Sequence, residues 1–204
     1  MPRLVLGTTN KKKAGELVEL LAPLGVTIEN LADYSTALTI EETGDSFAAN
    51  ARLKAAGQAR ALGRWVLGED SGLAVDALGG APGIYSARYS GPAASDESNN
   101  MRLLEALART PDAKRSGHYV CHLTLCDPQG EIRAESEAAC RGRIRHEPAG
   151  RGGFGYDPLF EVIEYHRTFG ELGSSVKAVL SHRARAVALL LPRCMELLDA
   201  GDWT

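Results

Sequence analysis

No apolar stretch in this 204-residue chain approaches the ~20 residues that a membrane-spanning helix needs. The amino terminus enters Leu4-Val5-Leu6 almost at once, with no signal-like hydrophobic segment, so a cytoplasmic protein without a membrane partner is expected. Neither sign of charge dominates: 23 basic against 26 acidic residues give a formal net charge of -3. That balance argues against the generalised polyanion surface of a duplex-DNA binder, and no nucleic-acid partner is expected. Cysteines are few, and the spacing of Cys121, Cys126, Cys140 and Cys194 is not that of a zinc site, so buried thiols are expected rather than a disulfide framework. His118 and His122 would lie about 13 Å apart along a strand at roughly 3.3 Å per residue, too far to share an ion. The phosphate-loop pattern Gly-x4-Gly-Lys-Ser/Thr is missing, as are repeats, low-complexity runs and linkers.

What is present is an ordinary globular composition, 44% hydrophobic and 24% charged, in a chain long enough for one compact unit. Leu4-Val5-Leu6, then Gly7-Thr8-Thr9-Asn10, then Lys11-Lys12-Lys13 read as a buried strand, a polar turn and a helix start capped by Asn10, the helix running to about Leu24. Three lysines in a first turn oppose the helix dipole. A bound polyphosphate would resolve that conflict, with the hydroxyls of Thr8 and Thr9 adding donors. Val26-Thr27-Ile28 is the second expected strand, and 33–45 a loop carrying Glu41-Glu42-Thr43-Gly44. Asp45 or Ser46 caps a helix from about Phe47 to Leu62, on which Asn50 and Lys54, four apart, share a face.

Trp65-Val66-Leu67 leads into Glu69-Asp70-Ser71-Gly72, which reads as a strand delivering two acids at its end to a glycine-rich turn, a common way to present a metal site. Strand, helix, strand, helix, strand in that order predicts parallel strands. Asp96 is the expected cap of a helix holding Met101, Leu103, Leu104 and Leu107. Segments 117–126 and 131–143, separated by Asp127-Pro128-Gln129-Gly130, read as an antiparallel hairpin with Tyr119, Cys121, Leu123 and Leu125 on one face, making the sheet mixed and the hairpin a second lobe. Four glycines around Phe154 in 150–158 would let a flat ligand approach the backbone and stack on the ring. Ser181 is the expected cap of the final helix, with His182 and Arg183 in its first turn and Pro192 kinking or dividing it.

These pieces, in this order, resemble one family: the non-canonical purine nucleoside triphosphate pyrophosphatases, or inosine triphosphatase-like XTP/dITP diphosphatases. The matching stretches are 8–13, Glu41-Glu42-Thr43-Gly44 with 47–55, the run from Asp70 to Gly91, Gly153-Phe154-Gly155-Tyr156-Asp157-Pro158, and Lys177 with Ser181-His182-Arg183. Glu69 departs from the second aspartate usual in the family, and Pro192 is unusual in the last helix. The resemblance implies an α/β fold of two lobes with a mixed, twisted sheet, an active-site cleft between the lobes, and a homodimer. It implies hydrolysis of ITP, dITP or XTP between the α- and β-phosphates, giving monophosphate and pyrophosphate. It implies Mg2+ held by Glu41 and Asp70, with Asp70 as general base or as the group that orders a metal-bound water. Thr8, Thr9, Asn10, Lys11, Lys12, Lys13, Lys54 and Lys177 would serve the phosphates and Ser71 would be a further substrate contact. Phe154 would stack on the purine, the Gly155-Tyr156-Asp157 backbone would line the pocket, and His182 and Arg183 would read the six-position oxygen. The rivals are a pyrophosphatase of modified pyrimidine or methylated nucleotides and a regulator that binds nucleotide without hydrolysing it.

Overall fold

Short apolar strands alternate with amphipathic helices through the first third of the chain. In the computed structural model, which describes residues 1–203, β1 (Arg3–Leu6) is followed by α1 (Lys11–Leu21), β2 (Thr27–Asn30), α2 (Phe47–Leu62) and β3 (Val66–Val75). β1 runs parallel to both of its neighbours, β2 and β3. The chain continues through α3 (Asp96–Ala106), β4 (Ser116–Cys126), β5 (Ile132–Ile144), β6 (Phe160–Val162), β7 (Arg167–Thr168), α4 (Phe169–Leu180) and α5 (His182–Asp199). The strands form one sheet in the order β2-β1-β3-β4-β5-β6-β7. β4 and β5 are neighbours joined by a turn over 127–131, which only an antiparallel pair permits. β6 is antiparallel to β5 and to β7. The expected α/β class with a mixed sheet is therefore what forms.

Several boundaries differ from expectation, each for a local reason. α1 stops at Leu21 and a single 3-10 turn, Ala22–Leu24, closes on Gly25, whose φ of +63° suits a residue without a Cβ. Ser46, not Asp45, caps α2 through the Ala49 amide. α3 is capped by Ser95, whose hydroxyl accepts from the Ser98 amide while the Ser98 hydroxyl accepts from the Ser95 amide in a capping box, and Asp96 becomes the first helical residue. Near the carboxyl end the final helix starts at His182 with Ser181 extended before it, α4 precedes it as a helix the sequence did not announce, and α5 continues through Pro192 to Asp199 undivided. The largest change is in β3, which does not end at the acids but runs on to Val75.

The chain forms two compact units. The first comprises Met1–Asp70, Cys121–Ala138 and the chain from Arg183 onward. Its strands bury both faces, as alternation demands: Leu4, Leu6 and Leu67 pack with Leu17 and Leu21 of α1 and Val187 and Leu190 of α5. Val5 and Val66 point the other way, onto Ala55 and Ala59 of α2. Trp65 and Trp203 stack with ring centroids 4.7 Å apart, and the Trp203 indole N–H donates to the Arg3 carbonyl. The second unit comprises Ser71–Val120 and Ala139–His182. Its core gathers Leu73, Val75, Tyr119, Cys140 and Ile144 with Leu103, Leu107, Phe160 and Phe169. All four cysteines are buried free thiols. No helix of the described residues is long and apolar enough to cross a membrane.

Candidate active site

Because successive side chains of a strand point to opposite faces, the adjacent acids of β3 enter different surroundings. Gly68 and Asp70 face α2. Glycine at 68 is what allows the helix to lie against the strand: a Cβ there would sit 2.3 Å from the Ala51 carbonyl oxygen and 2.7 Å from the Ala55 nitrogen. This close approach brings two α2 side chains, one turn apart, onto the Asp70 carboxylate. Lys54 Nζ lies 2.8 Å from Oδ1 and Asn50 Nδ2 3.4 Å from Oδ2. Asn50 also fixes the preceding loop, its Oδ1 accepting from the Gly44 amide at 2.9 Å. Lys54 Nζ is 3.0 Å from Glu42 Oε1 as well, so two carboxylates converge on one cation. Of the acid pair in that loop, Glu42 makes this contact and Glu41 is exposed.

Asp70 is only 6% exposed, and burial raises its pKa although the Lys54 ammonium works against the rise. For Lys54 burial disfavours the charge, but Asp70, Glu42 and Glu69 outweigh it and its pKa is raised. Among the described residues no group of three or more His, Cys, Asp or Glu side chains is placed to hold a metal ion, so a hard cation here would draw one or two carboxylate oxygens from the protein and the rest from water and phosphate. Ser71, next in the strand, is half-buried.

Glu69 faces the other side and is 1% exposed. Its Oε2 lies 3.1 Å from Lys13 Nζ and its Oε1 accepts from Arg183 at 2.9 Å, with the Cys121 thiol 3.6 Å away. Arg183 also pairs with Glu16. Arg183, expected to read the six-position oxygen, is 1% exposed inside this ion cluster, where the carboxylates hold its guanidinium charged despite burial. A buried guanidinium is stable only with such compensation.

At the start of α1, Asn10 caps as expected, Oδ1 accepting from the amides of Lys12 and Lys13 at 3.0 and 3.1 Å, while Thr8 Oγ1 accepts from the Asn10 amide. Those donors are satisfied from within the chain. What this end offers an anion is chiefly ammonium charge. Thr9, Lys11 and Lys12 are exposed there, Thr8 is half-buried, and Lys13 is turned toward Glu69.

The second unit holds the other cluster. Asp157, 2% exposed, accepts through Oδ2 from the Phe154 amide at 2.8 Å and from Lys177 Nζ at 2.6 Å. Lys177, expected among the phosphate ligands, lies with its ammonium 4.1 Å from the Phe154 ring centroid, a cation-π contact. One of the neighbouring glycines is required by the turn itself. At Gly153, φ is +72° and a Cβ would fall 2.0 Å from Asp157 Oδ2, so only glycine allows the carboxylate to fold back onto the Phe154 amide. Gly155 accepts from Asn100 Nδ2, and Tyr156 is buried with its hydroxyl donating to the Ser86 carbonyl. His182 is 4% exposed and stacks on the Tyr119 ring at 4.7 Å and 9°. Asn50, Glu42 and Tyr119 are thus members of these clusters to which sequence reasoning gave no site role, and Glu69, read there as half of an acid pair, has cations of its own. For Asn50 the signal was there in its spacing from Lys54.

The Ham1 family pattern matches residues 4–193, nearly the whole chain. This chain belongs to the Ham1 family. It is 50% identical over 199 residues to a dITP/XTP pyrophosphatase of Rhodopirellula baltica, covering 98% of this chain and 96% of that protein. It is 44% identical over 197 residues to a dITP/XTP pyrophosphatase of Desulforamulus reducens, covering 97% and 96%. Among solved structures, a HAM1 protein from Coxiella burnetii superposes with a TM-score of 0.86 at 35% identity, covering 98% of this chain and all of that one. Membership of the Ham1 family accounts for why motifs scattered from residue 8 to residue 183 occur together in one chain.

Proposed function

We propose that this protein hydrolyses deaminated purine nucleoside triphosphates, ITP, dITP and XTP, to the monophosphate and pyrophosphate. The observation that carries the reading is the convergence of Asp70 and Glu42 on the Lys54 ammonium, a charge arrangement suited to a metal-bound polyphosphate. The full-length likeness to proteins named dITP/XTP pyrophosphatase supports it.

In this reading the phosphate end belongs to the first unit's cluster. Lys13 and Lys54 neutralise phosphate oxygens, and the exposed Lys11, Lys12 and Thr9 add charge and donors at the start of α1. Asp70, together with the Glu41-Glu42 pair, would hold Mg2+. When bound, that ion supplies charge neutralisation of the triphosphate and lowers the pKa of a coordinated water. Asp70 would orient the attacking water or take its proton. Glu69 keeps Lys13 and Arg183 in place from the opposite face of the strand.

Base recognition belongs to the second unit's cluster. Phe154 stacks on the purine, and the donors of Lys177 and His182 favour a six-position oxygen over an amino group, which would leave them unmatched. The test is pyrophosphate release from ITP, XTP, ATP and dTTP with and without magnesium. Magnesium-dependent release favouring ITP and XTP is expected. Preference for dTTP would establish the pyrimidine rival, and nucleotide binding without release would establish the regulator.

A further inference from the structure

Tyr119 reads as plain core in the sequence, one apolar position of an alternating strand. Its contacts say more. One face of the ring lies flat on the His182 imidazole, centroids 4.7 Å apart and planes 9° apart. The rest of the ring is fixed by Phe160 and Phe169, with centroids at 4.7 and 6.4 Å. Its hydroxyl points at Asp157 Oδ1 across 3.4 Å, and the other oxygen of that carboxylate holds both Lys177 and the Phe154 amide. One buried phenol therefore touches the imidazole on one side and the acid that organises the stacking turn on the other. Burial pushes the phenol pKa well up, so it remains a neutral donor.

We propose that Tyr119 is a positioning residue for base selection, its ring seating His182 and its hydroxyl steadying the Asp157 carboxylate that organises Lys177 and Phe154. The inference rests on the assignment of those groups to the purine and goes beyond it by naming what aims them. Two substitutions separate the contributions. Tyr119→Phe keeps the ring and removes the hydroxyl; Tyr119→Leu removes the stacking surface. Steady-state kinetics on ITP and ATP, with thermal unfolding alongside, read the outcome.

Tyr119→Leu is expected to raise KM for ITP about tenfold, the scale of one lost aromatic pair, with kcat within about threefold of the parent. Tyr119→Phe is expected to raise KM less while narrowing the ITP-over-ATP ratio in kcat/KM by about threefold to tenfold, the scale of one ordinary hydrogen bond, as suits a contact as long as 3.4 Å. A folded Tyr119→Leu with unchanged KM and unchanged ratio overturns the proposal, as does a loss confined to kcat. If Tyr119→Leu does not fold, Tyr119→Phe decides: a narrowed ratio supports the proposal and an unchanged ratio overturns it. A parent protein that hydrolyses ITP and ATP equally would refute the base assignment beneath the proposal, a separate result.

Discussion

Replacing Gly68 with alanine tests whether the contact between α2 and β3 is what assembles the cluster around Asp70 and whether that cluster carries the reaction. The added carbon would sit 2.3 Å from the Ala51 carbonyl oxygen, 2.7 Å from the Ala55 nitrogen and 2.8 Å from the Ala55 Cβ. Two of these atoms belong to helix backbone, so no rotamer change relieves the overlap. Restoring ordinary contact requires the helix to withdraw by about 1 Å. Overpacking of this kind costs about 1–3 kcal/mol. For a chain of this length that corresponds to a fall of roughly 2–12 °C in Tm. Because Asn50 and Lys54 ride on the same helix, their contacts with Asp70, now 3.4 and 2.8 Å, must lengthen together. A misplacement near 1 Å at reacting groups costs on the order of a hundredfold in rate. Pyrophosphate release from ITP and a thermal melt of Gly68→Ala should therefore show a modest loss of stability with a disproportionate loss of kcat/KM. Full activity in a destabilised variant would refute the link between helix position and catalysis. An unchanged Tm would refute the packing argument itself.

Asp70→Asn should abolish magnesium-dependent pyrophosphate release while circular dichroism stays native, since the amide nearly matches the carboxylate in shape and has less charge to bury. Phe154→Ala should raise KM for ITP about tenfold or more with a smaller change in kcat, measured by initial rates over a range of ITP concentrations. Glu135 accepts a bidentate pair from Arg52 at 2.7 and 2.8 Å, and that pairing, opposed by partial burial and aided by His122 and Thr124, lowers its pKa from 4.5 to about 2. Because the folded pKa is depressed, the stabilisation is fully present above the unfolded value and is lost as pH falls through the folded one. Urea unfolding of Glu135→Gln against the parent should show a deficit of about 1–2 kcal/mol at pH 7, allowing for solvent screening. That deficit should shrink between pH 4.5 and about 2.

The parts of the fold that the sequence announces are those with a strong local period or cap. Asn10 and Gly63 mark the start of α1 and the end of α2, and the apolar runs at Leu4–Leu6 and Val66–Leu67 mark the parallel strands. β6 and β7 are three and two residues long, too short for alternation to register, and exist because neighbouring strands supply their hydrogen bonds. Ser95 and Asp96 are both good caps, and the reciprocal bonds with Ser98 choose between them. Lys177 and Arg183 are singled out by motif, but their pairings are not: Asp157 is twenty residues from Lys177, and Glu69 is 114 from Arg183. Such pairings depend on tertiary contacts that no local spacing encodes.

Glu69 and Asp70 show why adjacency in sequence misleads about chemistry. Read as neighbours at a strand end, two carboxylates suggest one shared metal site. Inside a continuous strand they face opposite ways, and each acquires its own cations: Lys54 for Asp70, Lys13 and Arg183 for Glu69. The division has an electrostatic consequence. Two buried acids facing one ion would repel each other and compete for it, whereas back to back, each with its own lysine, they suit different tasks. Asp70, whose lysine also contacts Glu42, would suit the metal and the water. Glu69, enclosed by Lys13 and Arg183, is suited to holding cations in place. Glu69→Gln should therefore lower Tm and raise KM for ITP while leaving the magnesium concentration for half-maximal rate unchanged, whereas Glu42→Gln or Glu41→Gln, whichever acid joins Asp70 on the ion, should raise that concentration. A magnesium requirement that shifts with Glu69 and with neither Glu41 nor Glu42 would show that the two faces of β3 do not divide the work in this way.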